Sequence, residues 1–307
     1  MKKSKKLIKA YKDPDFINSP EARPLRILSE FIEPQSIFRK EKVRDTIVFF
    51  GSARLLPHRE AVKRLKAVEA KRKAAPIEIE DAEIDLEMSR YYEDTVKLSK
   101  MITQWSSKLE DNRFVVCSGG GPGIMEAANK GACLAGGKSI GLNISLPFEQ
   151  EPNKYITDDL NMEFHYFFMR KFWFAYLAKA LVIMPGGFGT FDELFEILTL
   201  VQTHKIRKKM PIIIYGRHFW DKIINFQELA NKRVIAKADL DLLYFAETVE
   251  DAFQYLKTEL SKHYIGIKQS LFNLKPVDRD ISKKKKPKTF SKPKTRKNNV
   301  PLKKRVT

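Results

Sequence analysis

Between residues 44 and 265 the chain alternates short apolar runs with stretches of helical period, and this alternation limits the possible folds more than any other feature. "DTIVFFGSAR" opens the pattern as a β-rich run ending in a tight turn. "RFVVCSGGG", "KSIGLNISL", "MEFHYFF", "ALVIMPGG", "PIIIYG" and "DLLYFAE" follow as strands. Between them, "GIMEAANKGACLAGG", "RKFWFAYLAK", "TFDELFEILTLVQTHKI", "FWDKIINFQELANK" and "TVEDAFQYLKTEL" have the pattern of helices, the first closed by glycine. Strands that alternate with amphipathic helices form βαβ units. The expected fold is therefore α/β: a doubly wound, Rossmann-like, mostly parallel sheet with helices on both faces, in a single domain over 44–265.

The flanks differ in character. Residues 1–43 are expected to form a basic, partly irregular arm with prolines at 14, 20, 24 and 34 and one short helix near "LRILSEFI". Residues 57–90 are dense in charge of both signs and predict a solvated helical excursion interrupted near Pro76. From Met88 the positions Tyr91, Tyr92, Thr95, Leu98, Met101, Ile102 and Trp105 recur at helical spacing, a core stripe. Residues 266–307 predict a basic disordered tail.

The net charge of +19 suggests nucleic acid until it is located. Six Lys in residues 1–12 and twelve Lys/Arg in 281–307, with no acid in either stretch, account for all but about +1 of it. The body is nearly neutral. The tails predict either loose, salt-dependent contact with RNA or an anionic surface, or solubilisation with no dedicated partner. No apolar run approaches the roughly 20 residues of a transmembrane helix. The basic N-terminus lacks the apolar segment of a secretory signal, so a cytoplasmic protein is expected. Cys117 and Cys133 are expected as small buried hydrophobes in the core, not as a disulfide.

Three glycine-bearing turns follow strands: Gly51-Ser52-Ala53, Ser118-Gly119-Gly120-Gly121, and Gly186-Gly187-Phe188-Gly189-Thr190. In a parallel sheet such turns share one edge, where ligands bind. Glycine bares the backbone, and a helix start offers free N–H groups and partial positive charge, a combination that suits phosphate. "GGFGT" before "FDELFEIL" fits, with Thr190 placed to cap the helix or to meet a phosphate oxygen. Close packing alone would also call for such glycines. No G-x-x-x-x-G-K-[ST] occurs, and the acidic residue of a dinucleotide fingerprint is missing, which disfavours NAD. The histidines show no metal-ligand spacing.

These segments carry a resemblance. "PGGFGTFDE" matches P-G-G-x-G-T-x-x-E, and "GGGPGIMEAANKGA", "FGSAR" and "MRKFWF" stand at the places expected of the LOG (Lonely-guy) family of nucleoside 5′-monophosphate phosphoribohydrolases. The long second signature, with Glu126 and Asn129, is similar to the larger LOG subgroup, some of whose members carry the label "lysine decarboxylase". No segment argues for the pyridoxal cofactor that decarboxylation normally needs. The resemblance, over about 46–262, implies hydrolysis of the N-glycosidic bond of purine nucleoside 5′-monophosphates, AMP or N6-substituted AMP, with no cofactor and no metal. It also implies a homodimer or higher homo-oligomer. The alternative is a non-catalytic nucleotide-binding regulatory protein whose basic tails dock on RNA.

The resemblance assigns catalysis to Arg170 and Glu193. It assigns the phosphate loop to Gly186, Gly187, Gly189 and Thr190, with Gly51, Ser52 and Ala53 and Gly119, Gly120 and Gly121 as nucleotide-facing neighbours. Glu126 is implied as a ribose contact, and Lys171 as part of the phosphate's surroundings. The chemistry is consistent with this, because an oxocarbenium-like sugar needs a nearby carboxylate. Glu193, three residues past Thr190, is expected in the first helical turn, where the dipole favours its ionised form. Asp192 and Glu193 are equally readable as dipole-compensating acids or as a capping-box partner of Thr190. Arg170 is readable as a clamp on phosphate or leaving base, or as one half of a salt bridge to Glu193. His165, Tyr166, Phe167 and Phe168 wall a base pocket or fill the core. His204 stands where long-form relatives carry Gly, which leaves the end of its helix open to question.

Overall fold

A computed structural model describes residues 7–71, 75–109, 113–147 and 151–265. Seven strands form one sheet: β1 (Thr46–Phe50), β2 (Val115–Ser118), β3 (Ser139–Ile144), β4 (Asn161–Phe164), β5 (Ala178–Ile183), β6 (Ile212–Tyr215) and β7 (Leu243–Ala246). Their order is β4-β3-β2-β1-β5-β6-β7, and every pairing is parallel. The chain builds outward from β1 to β4, crosses back to β5, and builds outward again. β1 and β5 therefore flank the point where the winding reverses, with Phe50 registered against Ile183.

Strands buried on both faces divide their side chains between two cores. Val48, Phe50, Leu181, Ile183, Ile212 and Ile214 turn to one side. Ile47, Phe49, Val182, Ile213 and Tyr215 turn to the other. The second face is covered by α4 (Pro76–Ser106), α5 (Ile124–Leu134) and α10 (Val249–Tyr264), through Leu98, Ile124, Ala128 and Leu256. The first face is covered by α2 (Arg23–Lys40), α6 (Phe167–Leu177), α7 (Phe188–Gln202), α8 (Arg217–Ile223) and α9 (Phe226–Asn231). Two further helices, α1 (Pro14–Ile17) and α3 (His58–Glu69), lie outside these layers. No helix of the described residues is long and apolar enough to cross a membrane.

The structure refines the sequence reading in some places and departs from it in others. The N-terminal arm contains an 18-residue helix, α2, that runs through Pro34. Proline removes the N–H that would bond to the carbonyl four residues back. That carbonyl, Glu30 O, accepts instead from the Trp173 indole at 2.9 Å. The charged excursion is a helical hairpin in which basic α3 faces the acidic start of α4, with Arg64 paired to Asp85. After the break, α4 is continuous from Pro76 through the core stripe. The stretch expected as one helix after β6 splits into α8 and α9, with Asn225 capping the second through Glu228 N. The end of "MEFHYFF" is helical, since α6 starts at Phe167. Cys117 is buried as expected, but Cys133 is exposed. His204 adopts φ +57° just beyond α7, the left-handed conformation that glycine takes with least cost. The helix does end there. The first six residues and the 266–307 tail lie outside the described residues.

Candidate functional site

The turns after β1, β2 and β5 are laced together at the carboxyl edge. Ser52 N donates to Pro185 O at 3.0 Å, and Ile124 N donates to Ser52 O at 3.0 Å. Their glycines fall into two groups. A side chain at Gly51 would strike Ile124, one at Gly119 Met125, and one at Gly186 Thr190. Gly120, at φ +78°, has no room because the Asn143 amide crosses it. These four serve close packing. A Cβ placed on Gly187 or Gly189 would meet nothing within 4 Å, so packing does not explain them. What they leave bare is backbone at the start of α7.

Beside that backbone opens a cavity of about 660 Å³. Gly51, Ser52, Ala53, Gly119 and Gly121 line it from β1 and β2. Gly187, Gly189, Thr190 and Glu193 line it from the loop and first turns of α7, and Arg170 lines it from α6. Ten of the fourteen residues expected at the site thus meet on one wall. Gly120 and Gly186 lie under their turns and are not in the lining. Glu126 is turned away, accepting from the Tyr92 hydroxyl at 2.6 Å. Lys171 is committed to Asp192 (2.7 Å) and Glu196 (2.8 Å), not to the cavity.

The start of α7 differs from the sequence expectation. Gly187 is the N-cap, without a side-chain cap, so Thr190 is a buried third-position residue and Glu193 lies in the second turn. Neither a capping box nor a first-turn acid is present. Phe188 and Gly189 begin the helix, where backbone N–H groups have no intrahelical acceptor. The free amides and Glu193 therefore face the same cavity one turn apart.

Glu193 is only 5% exposed. Burial pushes its carboxyl up to about 7, against the pull of Lys171 and Arg170. This reverses the expectation that the helix dipole holds it ionised: desolvation of a charge outweighs a dipole whose influence fades beyond the first turn. Burial likewise pulls Arg170 down, with Glu193 opposing it. The guanidinium lies over Phe167 (5.0 Å) and Phe174 (5.7 Å), and its buried Nε has no hydrogen-bond partner among the described residues. The salt bridge to Glu193 left open by the sequence is not formed within 4 Å. The two charges interact through space across the cavity wall.

Of the aromatic run before Arg170, only Phe167 reaches the cavity. Tyr166 is buried, Phe168 is exposed, and the backbone N–H groups of His165 and Tyr166 donate to the Glu30 carboxylate. α2 thereby anchors the start of the helix that carries Arg170. Arg54 and Asn143 line the cavity and were not singled out from the sequence. Their position just past, or at, the carboxyl end of a parallel strand was the available signal. Among the described residues no group of three or more His, Cys, Asp or Glu side chains could hold a metal ion.

A family model described as possible lysine decarboxylase matches residues 125–256. The cytokinin riboside 5′-monophosphate phosphoribohydrolase LOG of Oryza sativa subsp. japonica is 28% identical over 99 residues, which are 32% of this chain and 40% of the rice protein. The cytokinin riboside 5′-monophosphate phosphoribohydrolase of Mycobacterium marinum is 25% identical over 140 residues, 46% of this chain and 74% of that protein. The match thus spans less than half the length of the rice relative. Among solved structures, the molybdenum cofactor binding protein of Rippkaea orientalis is 16% identical at a TM-score of 0.43, over 71% of this chain and 98% of that one. The molybdenum cofactor carrier protein of Chlamydomonas reinhardtii is 19% identical at a TM-score of 0.43, over 71% and 99%. Likeness that loose carries no ligand or activity to this chain.

Proposed function

We propose that this chain belongs to the LOG family, whose members it resembles, and that it hydrolyses the N-glycosidic bond of purine nucleoside 5′-monophosphates, AMP or N6-substituted AMP, to free base and ribose 5-phosphate. The observation that carries this reading is the buried Glu193 carboxyl, titrating near 7, one helical turn from uncapped backbone amides in the same cavity.

The substrate's phosphate lies against the amides at the start of α7 and against Thr190. This places the ribose beside Glu193. As the C1′–N9 bond breaks, its electron pair leaves with the purine and positive charge builds on the sugar. The ionised carboxylate stabilises that charge and orients a water, whose oxygen bonds to C1′ and whose proton passes to Glu193. Arg170, whose side chain lines the cavity, stabilises the negative charge that develops on the leaving base. Protonation of the base completes the balance.

We assign two exposed aromatic side chains, Phe168 on α6 and Phe188 of the cavity lining on α7, to a contact with a second copy of the chain. Both are more than half exposed, Phe188 at 95%, which is costly for phenylalanine in a monomer. The protein then acts as a homodimer or larger assembly in the cytoplasm. The test is release of adenine from AMP by the purified protein, alongside the Glu193→Ala variant. The variant is expected to bind AMP without turning it over. Equal turnover in that variant rejects the mechanism, and binding without turnover in the wild type favours the regulatory alternative.

A further inference from the structure

The turn after β2 is gripped from outside the cavity by Asn153, which lies between β3 and β4 and is not part of the lining. Its backbone N donates to Gly120 O at 2.8 Å. Its amide nitrogen donates to Gly120 O (2.9 Å), Gly121 O (3.1 Å) and Asn129 Oδ1 (3.0 Å), and its Oδ1 accepts from Tyr155 N at 3.2 Å. Carbonyls only accept, so the amide has one possible orientation. Behind the turn, the buried Ser118 hydroxyl donates to Asn129 Oδ1 at 2.7 Å and accepts from Gly120 N at 3.1 Å. Gly120, at φ +78°, is therefore held on both of its peptide units.

This grip decides what the turn offers a ligand. A trans peptide points its N–H away from its C=O, and no cis bond occurs among the described residues. With Gly120 O turned to Asn153, Gly121 N–H is turned to the opposite side. Pro122 has no N–H, so Gly121 supplies the donor of the two peptide units whose carbonyls Asn153 holds. Gly121 is buried and lines the cavity, and among the described residues no acceptor meets its N–H. A buried amide left in that state costs stability until a ligand answers it. In the sheet order β2 stands two places from β5, the strand that feeds the start of α7. At the usual spacing that is about 10 Å. A phosphate at α7 thus leaves its sugar, and not its own oxygens, to meet Gly121.

We propose that Asn153 is a positioning residue: by holding the carbonyls of Gly120 and Gly121 it turns Gly121 N–H into the cavity, where that N–H donates to a ribose hydroxyl of the substrate. A ribose fixed by its hydroxyl edge presents C1′ to Glu193 in one orientation. This inference rests on the hydrolysis proposed above and adds the group that orients the sugar.

The test compares AMP, 2′-deoxy-AMP and 3′-deoxy-AMP in the wild type, Asn153→Ala and Asn153→Asp, with folding checked by thermal melting. The aspartate keeps an oxygen to accept from Tyr155 N but cannot donate to the carbonyls. For each deoxy compound, the AMP-to-deoxy ratio of kcat/KM in the wild type is divided by the same ratio in the variant, which cancels any intrinsic difference in lability between the sugars. That quotient is expected to be about tenfold for one of the two deoxy compounds, and similar in both variants. A merely structural loss would lower all three substrates alike and leave the quotient at one. A quotient near one for both deoxy compounds overturns the role of Asn153 and leaves the hydrolysis standing. Release of base from none of the three substrates by the wild type overturns both.

Discussion

The two edges of the sheet both bury charge, and they treat it differently. At the amino edge Asp45 (1% exposed) accepts from Arg113 Nε at 2.7 Å and from Phe114 N at 2.6 Å, while Arg113 Nη1 reaches Tyr264 O. Lys208, which burial pulls down to about 7, donates to Ala175 O and Tyr176 O near the end of α6. At the carboxyl edge, among the described residues, Arg170 Nε has no partner and burial raises the Glu193 carboxyl without a hydrogen bond to hold it. Buried charges that are answered inside the protein hold strands together. Charges without such partners beside a cavity are the ones on which the proposed reaction rests. The same helix, α6, joins both ends, with Lys208 at its last turn and Arg170 in its first half.

The largest effects follow from breaking one edge at a time. Asp45→Ala leaves Arg113 buried and unpaired, and is expected to cost about 3–5 kcal/mol of stability in chemical denaturation. Arg170→Ala, at the other edge, is expected to lower kcat/KM by about 10²–10³ with little loss of stability, and Arg170→Lys to recover little of it. A large stability loss in Arg170→Ala would erase the contrast between the edges.

Titration sharpens the comparison. The folded pKa of Glu193, about 7, lies above its ordinary value of 4.5, so the folded state holds the proton more tightly than the unfolded chain. Glu193 therefore costs stability progressively as pH rises from about 4.5 to 7, and fully above that. Thermal melts of Glu193→Gln should coincide with the wild type near pH 4 and lie above it near pH 8, where activity is lost. For the wild type, kcat/KM should rise with pH through about 7 as the carboxylate forms. A profile flat across that range would remove Glu193 from the reaction.

Smaller effects separate the two groups of glycines and the two ends of α7. Gly187→Ala has space for its methyl group and should fold normally, yet lose affinity for the nucleotide because the methyl group stands where phosphate would approach. Gly186→Ala strikes Thr190 and should lose stability and affinity together. At the far end of α7, His204→Gly relieves a left-handed histidine and is expected to add about 0.5–1 kcal/mol without touching turnover.

Much of this molecule was legible in the order of its residues. The strands are short apolar runs, the carboxyl-edge turns after β1, β2, β5 and β6 contain glycine, and these signals are local, so the parallel sheet and the shared edge followed from them. That Gly187, Gly189, Thr190 and Glu193 line one cavity was legible too, because a few residues of chain hold them together. Asn143 escaped notice because it belongs to no glycine turn and only the sheet order brings it opposite α7, while Arg54 stands at the end of the Gly51 turn without a role that the turn itself suggests.

What the tertiary structure alone decided is the environment of single groups. Pro34 breaks no helix because Trp173, more than a hundred residues away, answers the carbonyl that proline abandons. Glu193 holds its proton near neutral pH because packing removes its water, a cost no helical position in the sequence reveals. Periodicity and turn chemistry act between neighbours in sequence and can be read there. Desolvation and hydrogen-bond satisfaction act between neighbours in space, and arise only when the chain has closed on itself.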